Sequence, residues 1–204
     1  MATQYSLTFK NNSASRGSFA VFQRPPPMHG LSGPVFSLAW FTRSVDPGKQ
    51  TTFQWTDDHS FVASETGVLK PGVVIARPET VAADPTGQNF IKLTADSGGT
   101  ACFASADTCG SVGSLTIEQG ADVVPDRTAV GVGMSGAGTF VVQARPNTTM
   151  VFTPHPNYWG VFGDFQPGQV MDIDNVTGAV EVTFPGATTS RTVTLQPDNT
   201  LTVA

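Results

Sequence analysis

The sequence is poor in the charged residues that favour helices. It contains only 4 Glu and 4 Lys in 204 residues, and charged residues make up 13% of the chain, about half the usual share of roughly 25%. Thr is abundant instead, with 26 occurrences, and Thr favours strands as Glu and Lys favour helices. The composition therefore excludes helix bundles, coiled coils and α/β folds.

Positive charge and long apolar runs are also scarce. The formal net charge is −5, whereas a nucleic-acid-binding protein needs a basic face, so we expect no nucleic-acid partner. No apolar run approaches the ~18 residues of a membrane-spanning helix, so we expect no membrane partner. The first residues, MATQYSLTFKNNS, lack the basic and apolar regions of a secretory signal. These absences predict a cytoplasmic location.

Cysteine occurs at only two positions, Cys102 and Cys109. Their spacing matches neither a zinc motif nor a thioredoxin motif. Two interpretations are open: a disulfide that closes a small loop, or two reduced thiols in neighbouring strands. A cytoplasmic location favours the reduced thiols, because that compartment keeps most cysteines reduced.

Short segments of alternating apolar and polar residues follow one another along the chain, separated by turn-forming residues at intervals of roughly 8–12 residues. This pattern predicts an all-β fold, specifically an antiparallel β-sandwich in which residues 1–204 form one compact unit. The alternation also predicts a core made of Leu7, Phe9, Phe19, Val21, Phe36, Leu38, Trp40, Phe53, Trp55, Phe61, Ile91, Leu93, Leu115, Ile117, Phe140, Val142, Val180, Val182 and Phe184.

A faint internal repeat adds an alternative to this single unit. Residues 46–58 and 166–175 both place a Pro-Gly turn before a segment that ends in acids, which is compatible with two similar halves at about 1–100 and 101–204. Residues 24–34, which contain three consecutive prolines, predict an extended loop because Pro lacks the backbone donor that a strand ladder needs.

No catalytic motif is present: the chain has no H-E-x-x-H, no G-x-S-x-G and no phosphate-binding loop. We therefore expect a protein that is not an enzyme and that needs no cofactor. Asp172, Asp174 and Asn175 resemble the start of a calcium loop. The glutamate expected at the twelfth position is missing, however, so an ordinary turn is the favoured interpretation and the metal site is a weak candidate.

Two groups of aromatic and polar residues are candidates for sugar binding. The first consists of Trp55, Asp57, Asp58 and His59, and the second of Tyr158 and Trp159, with His155 nearby. An exposed indole can stack on a sugar ring while an acid accepts its hydroxyl groups. The alternative is that the aromatic residues belong to the core, where each would bury roughly 150–250 Å².

Four segments in the first 75 residues carry a family resemblance: NNS, SFAVFQ, VFSLAW and WTDDHSFV. They are similar to segments of a small family that includes the rhizosphere-expressed protein RhiA of bacteria and the abundant perithecial protein of filamentous fungi. The resemblance is clearest over residues 5–75. It brings no catalytic residues that could be transferred to this sequence.

The resemblance implies a function by analogy with the two kinds of family member. The fungal members imply a non-enzymatic structural protein that accumulates at high concentration in a fruiting body. Such a protein would have two crystallin-like halves, and its partner would be further copies of itself. The alternatives are a lectin-like carbohydrate-binding module, with a glycan as partner, or a host-interaction protein as the bacterial members imply.

Overall fold

A computed structural model describes residues 3–25, 33–154 and 157–204 of the chain. Every regular element in these ranges is a strand and none is a helix, so the all-β prediction is confirmed. No helix in these ranges could therefore cross a membrane. Residues 26–32 of the predicted proline-rich loop, and His155, lie outside the described residues.

The strands vary in length from two to eight residues. In chain order they are β1 (Gln4–Asn11), β2 (Gly17–Gln23), β3 (Phe36–Ser37), β4 (Phe41–Val45), β5 (Gln50–Thr56), β6 (His59–Glu65), β7 (Glu79–Ala83), β8 (Phe90–Ala95), β9 (Ala101–Phe103), β10 (Leu115–Gln119), β11 (Thr128–Met134), β12 (Ala137–Gln143), β13 (Thr148–Phe152), β14 (Tyr158–Gly163), β15 (Val180–Val182), β16 (Ser190–Leu195) and β17 (Leu201–Val203).

The strands form four sheets that pack in two pairs. Sheet 1 has the order β17-β16-β1-β5 and sheet 2 the order β15-β14-β2-β4; they share one apolar core and form the first sandwich. Sheet 3 has the order β3-β12-β11-β6-β7 and sheet 4 the order β13-β10-β8-β9; they enclose a second core and form the second sandwich.

The two sandwiches do not divide the chain near residue 100. Both ends of the chain build the first sandwich and the middle of the chain builds the second, apart from the two-residue strand β3, which lies between β2 and β4 in sequence but joins sheet 3. A boundary at residue 100 would separate β8 from β9, which are hydrogen-bonded neighbours in sheet 4. The faint sequence repeat therefore does not mark two consecutive halves. A single compact unit over the whole chain stays a prediction.

Most of the strand pairs are antiparallel, as expected of the β-sandwich, but two are parallel. β1 runs parallel to β16, and β8 runs parallel to β10. A parallel pair needs a long crossover connection rather than a hairpin. The first crossover contains the whole second sandwich, a long-range arrangement that local alternation does not predict.

The predicted core is largely confirmed. Sixteen of its nineteen residues are buried. Alternate residues of a strand point to the same face of its sheet, and the inner faces of two packed sheets together form the core. The three exceptions, Phe36, Val180 and Phe184, are half-buried and pack against the edge of a core. Alternation thus identifies the inward face of most strands correctly.

A second apolar layer, which the sequence pattern did not predict, lies outside the sandwiches. Strands β2 and β11 are buried on both faces, because non-strand segments cover their outer sides. Residues 166–171, here called the strap, lie between two other segments and bond to both: Ala39 N donates to Gln169 O (2.8 Å), and Val170 N donates to Val73 O (2.7 Å). The strap fixes one wall of the groove described below.

Candidate functional site

Trp55 and Tyr158 lie together inside the first sandwich. Their ring centroids are 5.1 Å apart, and the two residues are only 2% and 3% exposed. Trp55 extends inward from β5 of sheet 1, and Tyr158 meets it from β14 of sheet 2. Neither ring offers a face to a sugar, so the structure places both in the core, as the alternative interpretation predicted.

Burial also controls the chemistry of this pair. Removal from water raises the pKa of Tyr158 to about 12, since a phenolate would lose its hydration. The indole N–H of Trp55 is buried and has no hydrogen-bond partner among the described residues. The aromatic core therefore favours the neutral form of Tyr158 over the phenolate.

Trp159 points to the opposite face of β14 from Tyr158. The Arg24 guanidinium lies 4.0 Å from the centre of its ring, and its indole N–H donates to Asn157 Oδ1 at 2.6 Å. The cation covers one face of the indole, while Phe22 packs near the ring with a centroid distance of 6.4 Å. Little of Trp159 remains available for stacking on a ligand.

Of the polar members of the predicted groups, Asp57 is near enough to Tyr158 for its charge to help raise the pKa of that residue. Asp57 Oδ1 accepts a hydrogen bond from Thr3 N at 2.9 Å on the surface. His59 begins β6 in the second sandwich; burial lowers its pKa, and the nearby Asp57 partly opposes that shift. The predicted residues thus come from both sandwiches, and because Trp55 and Tyr158 are buried, neither ring is open to a sugar beside Asp57 and His59.

A groove of about 380 Å³ lies on the outer side of sheet 2. Its lining combines buried apolar residues, among them Val161 and Met171, with the half-buried ring of Phe165. Phe165 packs on Gly163, where a Cβ would lie 2.7 Å from the ring. The absence of a side chain at Gly163 thus lets the aromatic ring lie close to the sheet.

Two residues of the weak metal candidate line this groove. Asn175 Nδ2 donates to Asp172 Oδ2 at 2.8 Å, and Asn175 N donates to Asp172 O at 3.0 Å. These bonds form the turn that the sequence favoured and hold both side chains in place. Asp172 Oδ1 and Asn175 Oδ1 make no hydrogen bond to the described residues, so both can accept hydrogen bonds from a ligand.

The metal interpretation gains no support from this geometry. No group of three or more His, Cys, Asp or Glu residues in the described ranges is placed to hold a metal ion. The Asn175 amide group directs a donor at the Asp172 carboxylate, and Asp174 is exposed but does not line the groove. Asp172 and Asn175 offer fewer free oxygens than the six to eight that a calcium ion usually takes.

Groups with a shifted pKa do not line the groove. They are His59, Asp84, Cys109, Tyr158 and Asp198. The pKa of Asp84 is lowered by hydrogen bonds from Thr86, and the pKa of Cys109 is raised by the negative charge of Asp107. Perturbed acids and bases often mark catalytic centres, and none of these five groups is in the lining of the groove.

The two thiols and two smaller cavities lie outside this groove. Cys102 is half-buried on β9, Cys109 is exposed in the following loop, and both are free. A cavity of about 150 Å³ lies near Phe36 and Met150, and one of about 170 Å³ lies beneath Trp40. Both are smaller than the roughly 300 Å³ at which ligand pockets usually begin.

Fold and groove together define a class: an all-β protein of two joined sandwiches with a groove of mixed apolar and polar lining on the outer side of sheet 2. Within that class, the chain belongs to the RhiA family, whose model matches residues 2–204. Protein RhiA of Rhizobium leguminosarum biovar viciae is 39% identical over 203 residues, which cover 97% of this chain and 85% of that protein. No solved structure matches the chain.

This relationship corrects the functional expectation from the sequence. The prediction of a crystallin-like bulk protein of a fungal fruiting body is wrong in its biological setting, because the relative found is bacterial. The error arose from giving weight to the fungal side of the resemblance. The family itself was identified correctly, and its similarity extends well beyond residues 5–75.

Proposed function

We propose that the protein binds a neutral sugar in the groove on sheet 2 and releases it unchanged. The observation that supports this function is the pairing of an apolar surface with two fixed oxygen acceptors. Phe165 and Met171 supply the apolar part, and the bonded side chains of Asp172 and Asn175 supply the acceptors. A sugar has both apolar C–H faces and hydroxyl donors, so it complements both parts.

The size of the groove agrees with a small ligand. Its volume of about 380 Å³ lies near the lower end of the usual range of roughly 300–1,000 Å³. The groove is open to solvent, which suits one or a few sugar units at the end or side of a larger glycan. Weak binding is expected of so shallow a site, with a dissociation constant of about 1 mM, equivalent to about −4 kcal/mol.

Titration followed by NMR tests this function directly. Glucose, galactose, mannose and N-acetylglucosamine are titrated in turn, and we expect at least one to shift resonances of Phe165 and Asn175 saturably. Asn175→Ala should weaken binding by about two- to tenfold, since one net hydrogen bond contributes about 0.5–1.5 kcal/mol. The sugar spectrum should stay unchanged over time, because no chemistry is proposed.

A matched control separates this effect from general damage to a turn. Asp198 Oδ1 accepts hydrogen bonds from Thr200 N (3.0 Å) and Thr200 Oγ1 (2.7 Å) in the β16–β17 turn. This turn belongs to sheet 1, whereas the groove lies on sheet 2. Asp198→Ala should leave sugar binding unchanged. The proposal fails if no sugar gives a saturable shift at ten times the expected dissociation constant.

A cytoplasmic location stays a prediction, which cell fractionation checks.

A further inference from the structure

The outer face of sheet 1 carries an ordered array of uncharged polar side chains. Strand pairing sets Ser6 opposite both Gln54 and Ser190, and sets Thr8 opposite both Thr52 and Thr192. These six residues form two adjacent rows across β5, β1 and β16, and are here called the hydroxyl array. All six are exposed or half-buried.

The rows are connected by direct contacts between side chains. Ser6 Oγ donates to Ser190 Oγ at 3.0 Å, and Thr8 Oγ1 and Thr52 Oγ1 share a hydrogen bond of 2.9 Å. Each hydroxyl has one donor and two lone pairs, so a bonded pair still has one hydrogen and several lone pairs for an external partner. The array can therefore both donate and accept.

The positions of these hydroxyl groups are fixed before any ligand arrives. β1 and β16 are the two central strands of sheet 1, and the β-branched Thr side chains have restricted rotation about their first torsion. Neighbouring strands lie about 4.8 Å apart, and alternate residues along a strand about 6.7 Å apart. Binding to such a preformed array loses little side-chain entropy.

Charge on this face limits the kind of partner. None of the six residues is charged, and the next row pairs Lys10 with Gln50 and Thr194. A polyanion would need several cations here, a basic partner would need carboxylates, and an apolar partner would not satisfy the hydroxyl groups. The complement of this surface is a neutral partner that repeats its own hydroxyl groups.

We propose that the hydroxyl array is a second binding surface, which adsorbs the protein to a neutral polysaccharide. The inference does not depend on the groove: the groove accepts a few sugar units, whereas the array is open and presents repeated hydrogen-bonding groups. Chains of an insoluble glycan also repeat hydroxyl groups at regular intervals, so several weak contacts can form together and add to the affinity.

Pull-down with three neutral solids tests the array: microcrystalline cellulose, chitin and cross-linked dextran. We expect the protein to leave the supernatant with at least one of them. The triple variant Thr8→Val, Thr52→Val, Thr192→Val keeps side-chain shape and strand propensity. It should reduce the ratio of bound to free protein on that solid at least about tenfold, since each lost hydrogen bond contributes a factor of roughly two to ten to the affinity.

Thr149→Val is the matched control. Thr149 is an exposed residue of β13 in the other sandwich, and its substitution should leave adsorption unchanged. Adsorption should also persist when salt rises to about 0.5 M, since contacts between neutral groups are not screened. NMR titration of the triple variant with soluble sugars should match wild type, which separates the array from the groove.

Three results would overturn the proposal. The first is wild-type protein that remains in the supernatant with all three solids. The second is a triple variant that is folded by circular dichroism and adsorbs as strongly as wild type. The third is stronger adsorption to anionic alginate beads than to any neutral solid, with loss of adsorption in salt. None of these results would affect sugar binding in the groove.

Discussion

Gly168 in the strap offers a direct test of how the groove wall is held. Its φ is +74°, and a Cβ at this position would lie 2.4 Å from the carbonyl oxygen of Ile75. A non-glycine residue in this left-handed conformation costs about 1–2 kcal/mol, and overpacking against backbone adds about 1–3 kcal/mol. We therefore expect Gly168→Ala to reduce the free energy of unfolding by about 2–5 kcal/mol.

Gly48 provides the control for this substitution. Its φ is +72°, but a Cβ there would meet no atom within 4 Å. Gly48→Ala should therefore show only the conformational cost of about 1–2 kcal/mol. Urea denaturation of both variants measures the difference, which is the steric cost of the strap. Equal losses for the two substitutions would show that the strap yields freely and would refute the reasoning.

Two predictions concern pH. The folded pKa of Tyr158 is raised to about 12 from an unfolded value of about 10. The stability that this difference contributes is therefore complete below pH 10, and about 2–3 kcal/mol is lost between about pH 10 and 12. Urea denaturation should show that Tyr158→Phe reduces this alkaline loss. The folded pKa of His59 is lowered by burial, so the unfolded state binds a proton more readily than the folded state. The free energy of unfolding should therefore decrease as pH falls through 6.5. Thermal melts of His59→Gln should show a smaller decrease.

The sequence predicted local features of the fold well and long-range features poorly. Leu7 and Phe9 alternate with polar neighbours, and this period alone identifies the buried face of β1. The parallel partner of β1 is β16, at the other end of the chain, and no local pattern reports such a pairing. Contacts of high sequence separation depend on the complete topology, which explains the missed parallel pairs.

The outer apolar layer was missed for a related reason. All seven residues of β11 are buried, and a strand covered on both faces shows a continuous apolar run in place of alternation. The segments that cover these strands show no regular alternation of apolar and polar residues. Only their position against the outer faces of the sheets shows that they are part of the core. Residues 166–171 had suggested only a Pro-Gly turn.

The candidate site was only partly predictable from the sequence. Asp172 and Asn175 were noticed because acids and Asn near a Gly form a turn, and that turn is present. Their proximity to Phe165 follows from the course of the strap across sheet 2. The prominence of Trp55 in the sequence was misleading for function, because large aromatic residues dominate the packing of cores as well as of interfaces.

The groove and the hydroxyl array lie on opposite sides of the first sandwich. The array covers the outer face of sheet 1, the groove lies outside sheet 2, and the aromatic core fills the space between them. A short sugar chain bound at one surface cannot reach the other, and the two sets of substitutions share no partner residue. Their effects on binding should therefore be independent. The two proposals together predict a protein that holds a glycan end on one side of the first sandwich while it adheres to a polysaccharide on the other.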